Sequence, residues 1–208
     1  QSHIKYLFHV PKPVVPVAVW YPNTHMTLDW SGFAYALIEF RDYTDADIID
    51  ESLLRASALD RYKILVVIHG DVMEARDAYL MSEWVKRGGK LIVKDIKEFR
   101  TPEGGPAPEQ FIFGSSPDGR ELGGGSVVRV SLWRGFTEAL SKALLELGLP
   151  VVDMKKDAVF ACQIAEDSIM VWNTCDVEKR MRVRDKHGHV DYTVAAGARL
   201  NGGNDKFA

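Results

Sequence analysis

The sequence predicts an α/β protein: a doubly wound, flavodoxin-like, mostly parallel sheet with a small antiparallel β appendage. Three observations carry this expectation. Short runs such as VAVW (17–20), YKILVVI (62–68) and KLIVKD (90–95) are too apolar to face water on either side, which is how parallel strands covered by helices on both faces read. Helical patterns alternate with these runs up to Pro150. After Val151 the rhythm changes to short alternating strands, AVFACQI, SIMVWN, KRMRVR and HVDYTVA, separated by turn residues, as in antiparallel β structure. The organisation expected is therefore an arm over 1–16, an α/β domain over 17–152 and a β-strand extension over 153–208.

Taken in order, Tyr6 to Pro16 holds Pro11, Pro13 and Pro16, which remove ladder donors and favour extended backbone. Val17 to Trp20 is a strand, and after a polar turn Trp30, Phe33, Ala34, Leu37 and Ile38 recur at helical spacing. Asp47 to Asp50 is a second short strand, followed by a brief helix over Glu51 to Ala58. Tyr62 to Ile68 has too little polarity for an edge and is expected at the centre of the sheet. The next helix is bounded at about Val72 to Arg87. Asp71 can cap it with Glu74 reaching back, Lys86 and Arg87 suit its negative end, and Gly88 suits a left-handed stop. Met73, Leu80, Met81, Trp84 and Val85 make its apolar stripe. Leu91 to Asp95 is the fourth strand. Thr101 to Gly125, with PEGGPAPE and ELGGG, reads as a long excursion with short strands at most. SVVRVSL then forms a strand, and Phe136, Leu140, Ala143, Leu144 and Leu147 mark a last helix closed by Gly148 and Pro150.

The bulk properties narrow the function. A chain of 208 residues with 46% hydrophobic residues can bury a sizeable core. A net charge of −3 gives no footprint for nucleic acid or for an anionic membrane, and no apolar run approaches the ~20 residues of a membrane span. The charge run from Asp176 to Asp191 mixes both signs and reads as a solvated strand face. Cys162 and Cys175 are too few for a disulfide framework or a structural zinc site. Gly123-Gly124-Gly125 precedes a strand, whereas a phosphate cradle needs its glycines between a strand and a helix N-terminus; no cofactor is expected. Gln1-Ser2-His3 resembles the remnant of a cleaved purification tag, so the natural N-terminus is expected upstream.

Four segments share a family pattern: IIDESLLRASALDRYKILVV, SEWVKRGGKLIV, GGGSVVRV and AVFACQIAEDSIMVWNTCD. Together they resemble the beta-galactosidase trimerisation domain and its relatives, modules of class I glutamine amidotransferase-like fold that follow the catalytic barrel in several glycoside hydrolases. The resemblance covers roughly residues 15 to 200. Leu59, Asp60, Tyr62 and Lys63 match the family's approach to its central strand, and Val85, Gly88, Gly89 and Leu91 match its helix exit. Ala158 to Asn173 resembles the start of the small C-terminal β domain of those enzymes. The resemblance implies a scaffolding or oligomer-forming role beside a sugar-cleaving barrel, at the rim of its site, with a second copy or an upstream barrel as partner and carbohydrate as a further one.

Amidotransferases proper place a cysteine on the sharp turn after the fourth strand, where backbone N–H groups receive an oxyanion. Here that turn is Lys94-Asp95-Ile96, with no thiol or hydroxyl, so no catalytic residue is carried over. Ligands of open α/β sheets gather at the carboxyl ends of strands. That edge offers Tyr21, Asn23 and His25 after the first strand, His69 and Asp71 after the third, and Asp95 after the fourth. Two readings of this cluster stand side by side. In one it is a ligand cleft, or the site of a small hydrolase or isomerase. In the other Asp71 caps its helix, His69 bonds a loop carbonyl, His25 is exposed, and Asp95 accepts backbone N–H groups of the following loop. His187-Gly-His189 fits a hairpin turn better than a metal pair. Trp20, Tyr21, Trp30 and Trp133 lie near loops and can serve a sugar-binding platform, a core or a subunit interface.

Overall fold

The computed structural model describes residues 15–41, 43–107, 120–122, 124–153, 159–165, 168–185, 187–196 and 199–203. They fall into two compact units, one built from Pro16–Phe40 and Ala46–Leu147, the other from the described residues of Arg41–Asp45 and Gly148–Ala208.

The first unit is an open sheet whose strands are β1 (Val17–Trp20), β2 (Asp47–Ile49), β3 (Ile64–Val67), β4 (Lys90–Lys94), β5 (Arg120–Leu122) and β6 (Gly125–Val130). Their order is β2-β1-β3-β4-β6-β5. The first five in that order run parallel, and β5 pairs antiparallel with β6 at one edge. The helices are α1 (Asn23–Leu28), α2 (Phe33–Arg41), α3 (Glu51–Arg55), α4 (Ala75–Lys86) and α5 (Trp133–Glu146), with a 3-10 turn at Ala58–Arg61.

Both faces of the sheet are covered, and the strand sequences show why. Side chains alternate across a strand. Ala18, Trp20, Leu65, Val67, Leu91, Val93 and Val127 pack in one cluster with Leu54 of α3 and with Ala78, Met81, Trp84 and Val85 of α4. The intervening Val17, Val19, Ile64, Val66 and Ile92 are equally buried and point to the opposite face. The remaining buried helix residues, Phe33 and Phe40 of α2 and Phe136, Leu140 and Leu144 of α5, supply that second layer, and the Phe40 and Phe136 rings meet edge to face at 5.9 Å. Burial of each such side chain contributes about 1.5–3 kcal/mol. β3 lies between β1 and β4, as its lack of polar residues predicts.

Several local expectations are corrected. The polar turn after β1 is a short helix, α1. The apolar stripe expected from Trp30 is narrower and starts later: α2 begins at Phe33, buries Phe33 and Phe40 and half-buries Leu37, while Trp30, Ala34 and Ile38 are exposed. Asp71 does not cap the following helix. That helix begins at Ala75, its N-cap is Glu74 in extended backbone with no side-chain capping bond, and Val72 is spent in an isolated bridge to Arg100. The last of the three consecutive glycines has a packing reason: a Cβ on Gly125 would overlap the carbonyl oxygens of Val85 and Gly89, so only glycine lets β6 start against the end of α4. Of the Thr101 to Gly125 excursion, residues 108–119 and 123 lie outside the described residues.

In the second unit β7 (Val151–Asp153), β10 (Lys179–Asp185) and β11 (Gly188–Val194) form one antiparallel sheet, while β8 (Val159–Ala165), β9 (Ser168–Asn173) and β12 (Arg199–Gly203) form another. Val171, Met181 and Val194 make its core. The charge run is the solvated face expected of it: Arg182 grips Asp191 with Nε at 2.6 Å and Nη2 at 3.0 Å, and Arg184 grips Asp153. Asp185 accepts the backbone N–H groups of His187 and Gly188, at 2.7 and 3.0 Å, which closes the hairpin around the His-Gly-His motif. Asn173 is fully buried and ties three chain segments together by donating to the carbonyls of Val177, Val194 and Ala195.

Candidate functional site

The carboxyl edge of the sheet is where the loops after β1, β3 and β4 emerge. The strand order reverses between β1 and β3, because β2 lies on one side of β1 and β3 and β4 on the other. A crevice at such a reversal is the usual ligand position in an open α/β sheet.

The structure brings four of the six expected residues into one chain of contacts there. Tyr21 meets Phe33 edge to face at 4.9 Å, Phe33 lies 6.5 Å from the His69 ring, and His69 meets the His25 ring at 5.2 Å and 82°. His25 Nδ1 stands 3.3 Å from Asp71 Oδ1, an ion-pair distance without hydrogen-bond alignment. Far from being exposed, His25 keeps only 13% of its side-chain surface. Asn23 turns away: its amide donates to Asp50 Oδ2 at 3.3 Å, while Asp50 caps α3 by accepting from the Leu53 N–H. Asp95 lies at the same edge, two residues beyond Val93 as His69 is two beyond Val67 in the paired strand, but it belongs to no side-chain contact of the cluster.

Burial, then the neighbouring His25, pushes the His69 pKa below its ordinary value, and the Asp29 carboxylate and the Ser31 backbone act in the opposite sense. His69 is therefore neutral at pH 7, with Nε2 buried and without a partner among the described residues. Asp71 is committed. Its Oδ2 accepts from Arg100 Nε at 3.1 Å and Nη2 at 2.7 Å, and its carbonyl accepts the Arg100 N–H at 2.8 Å. The carboxylate thus clips the segment after β4 to the loop after β3.

Asp95 is corrected in its role. Its backbone is left-handed, with φ of 55°, a conformation that Asp tolerates better than most residues. The carboxylate accepts no hydrogen bond from a described residue, and its own N–H donates to the Val130 carbonyl at 2.7 Å. Arg129 holds the following loop, donating from Nη1 to the carbonyls of Ile96 at 2.6 Å and Lys97 at 2.8 Å. Lys94 places its ammonium 4.6 Å from the Trp133 ring centre. Trp20 is wholly buried, so it is core, whereas Trp30 is not.

Sequence reasoning missed a buried ionic set beside this edge. Asp77 of α4 is fully buried and receives Arg55 Nε at 2.8 Å and Nη2 at 2.7 Å, while the same Nη2 reaches Glu74 at 2.7 Å. Glu51 is buried and accepts the Thr24 N–H at 2.9 Å. Spacing gives no signal for pairs 22 and 27 residues apart; the available hint was an Asp inside the buried stripe of a helix. No group of three or more acidic, histidine or cysteine side chains suited to a metal ion occurs among the described residues.

Fold and edge together define the class: an open α/β domain with mostly parallel strands, joined to an antiparallel β extension. Solved structures share this arrangement. An apo exo-carrageenase GH42 from Bacteroides ovatus superposes with a TM-score of 0.65 at 8% identity, over 90% of this chain and 28% of that one. A beta-galactosidase from the Antarctic haloarchaeon Halorubrum lacusprofundi gives 0.65 at 13% identity, over 99% of this chain and 42% of that one. A beta-galactosidase from Bacillus circulans sp. alkalophilus gives 0.62 at 12% identity, over 91% and 41%. The chain spans less than half the length of each, so it resembles one part of a GH42 glycoside hydrolase chain; at these identities the likeness is one of fold. No family model and no curated protein matches the sequence.

Proposed function

We propose that this chain is a non-catalytic, amidotransferase-like domain of a glycoside-hydrolase-like protein, and that it works by docking, against a second copy of itself or against a catalytic barrel. The β2-β1-β3-β4-β6 order supports the flavodoxin-like description. The observation that carries the docking reading is the surface around α1 and α2. Leu28, Trp30, Tyr35 and Ile38 are exposed by 65, 81, 81 and 67%, and Tyr35 and Ile38 stand one turn apart on the outer side of α2. Soluble domains seldom leave large rings and branched chains together in water without a partner. The chemistry of the edge supports the non-catalytic part: the β4 turn carries Asp95 and no thiol, and Asp71 is held by Arg100.

Light scattering across a concentration series tests the docking, and turnover assays with glutamine and an aryl galactoside test the absence of chemistry. Concentration-dependent association that Tyr35→Glu with Ile38→Glu abolishes, without turnover of either substrate, is the expected result. Turnover that His69→Gln or Asp95→Asn removes while the fold survives would replace this reading with that of a strand-end enzyme. A monomer that binds soluble oligosaccharide through Trp30 would make the chain a carbohydrate-binding module.

A further inference from the structure

The outer edge of β11 is the least protected stretch of backbone in the second unit. β11 stands last in the order β11-β10-β7, and its seven residues pair with β10 without a register shift, from Asp185 opposite Gly188 to Lys179 opposite Val194. On its other side no backbone group of His189 to Thr193 is hydrogen-bonded among the described residues. Such an edge is a template for a further strand, and proteins blunt it by shortness, proline, lysine, a bulge or an unpaired charge. The other edges of the described sheets are blunted. β2, β5 and β7 have three residues each, β8 shifts register between Gln163 and Ala165, and β12 opens on Arg199 and ends in two glycines. β11, GHVDYTV, has no proline, no lysine and no bulge. Its one acid, Asp191, is held by two N–H groups of Arg182. Val190, in the middle of the exposed stretch, is 54% exposed.

We propose that β11 pairs antiparallel with β11 of a second copy of this chain, with Val190 opposite Val190, so that two three-stranded sheets join into one of six strands. The sequence is self-complementary in this register. A two-fold axis through an antiparallel edge sets one residue opposite itself, and side chains directly opposite share a face. Val190, Tyr192 and Val194 lie on the apolar face of Met181 and Val183, while His189 and Asp191 lie on the face of Arg182 and Arg184. With the axis at Val190 the two exposed valines cover each other, and each Tyr192 stands opposite Gly188, whose backbone an aromatic ring can cover. On the charged face each His189 stands opposite an Asp191. Moving the axis to Asp191 would set two carboxylates opposite each other, which is unfavourable. A second copy is thus the occupant that matches the edge residue for residue. Pairing of one short strand buries less than the ~1,200 Å² of a stable interface, so the contact is transient and escapes light scattering on dilute protein. It lies in the second unit and does not depend on docking through α2.

Disulfide trapping in the full chain, at high concentration, tests this. Cys162→Ala and Cys175→Ser leave each variant a single thiol. In the proposed register the two Val190→Cys sulfurs belong to residues whose Cα atoms are ~4.5–5.5 Å apart, inside the range a disulfide spans. Thr193→Cys, equally on the exposed strand, is six positions out of step with its copy, ~20 Å along the strands. The expected result is a linked dimer that forms about tenfold faster for Val190→Cys than for Thr193→Cys. His189→Asp, which sets two carboxylates opposite each other, should bring the Val190→Cys rate down to that of the control. Tyr35→Glu with Ile38→Glu should leave it unchanged, which separates this contact from docking through α2. Equal rates at positions 190 and 193, a Val190→Cys rate indifferent to His189→Asp, or one that falls with the α2 substitutions overturns the proposal.

Discussion

Replacing Arg55 by Met should unsettle the first unit more than any other single change at its surface. Arg55 lies on α3 with 30% of its side chain exposed, whereas its partner Asp77 on α4 has no exposure at all. Three charge-assisted hydrogen bonds join the guanidinium to Asp77 and Glu74. The substitution leaves a carboxylate buried and unpaired, which costs about 3–5 kcal/mol. The partial exposure of Arg55 and Glu74 places the value near 3, because water can reach the vacated side. For a chain of this length that is a fall of ~6–12 °C in the melting temperature. The pH dependence gives an independent check. Burial raises the Asp77 pKa above its ordinary value, and the Arg55 bonds pull it back down; without Arg55 it rises further. A carboxyl whose folded pKa exceeds its unfolded one takes up a proton first in the folded state, so the deficit of Arg55→Met shrinks on acidification from pH 7 towards 5. Pairing Arg55→Met with Asp77→Leu should recover most of the loss, since two apolar side chains replace a buried pair at little cost. Urea unfolding at both pH values measures all three variants. A deficit below ~1 kcal/mol at pH 7, or one that does not change with pH, would refute the reasoning.

Gly125→Ala should cost ~3 kcal/mol or fail to fold, because a Cβ there overlaps backbone carbonyls that have no room to move; thermal melts decide it. Tyr62→Phe removes a 2.7 Å bond from the phenol to Asp47 and should cost about 1 kcal/mol, visible as a small shift in the urea midpoint. Asp95→Gly should be neutral or slightly stabilising and Asp95→Val should cost ~1–2 kcal/mol, because the position needs φ of 55° and not a carboxylate; equal losses for both would restore a side-chain role.

The strands were legible because their constraint is local and repeated. Burial on both faces leaves no place for a polar residue, so VAVW, ILVV and KLIVK declare themselves and even their central position follows. The end of α4 was legible for a similar reason, since Gly88 and the basic pair before it answer to the backbone alone. Asp71 shows where such reasoning stops. Its spacing to Glu74 suits a capping box, yet the competing partner is Arg100, 29 residues away, whose guanidinium offers the carboxylate two N–H donors and a full positive charge. With Asp71 engaged, the helix start slides to Ala75. Trp30 fails the same way in the opposite direction, because an apolar residue at helical spacing does not reveal whether the helix has begun. The cluster at the edge was found by rule, from the position of strand ends, but its internal wiring was not: which imidazole lies against Gly32 and which against Asp71 depends on packing across three loops. Those three loops meet where the strand order reverses between β1 and β3, so the same topological fact that locates the crevice also assembles the groups that line it.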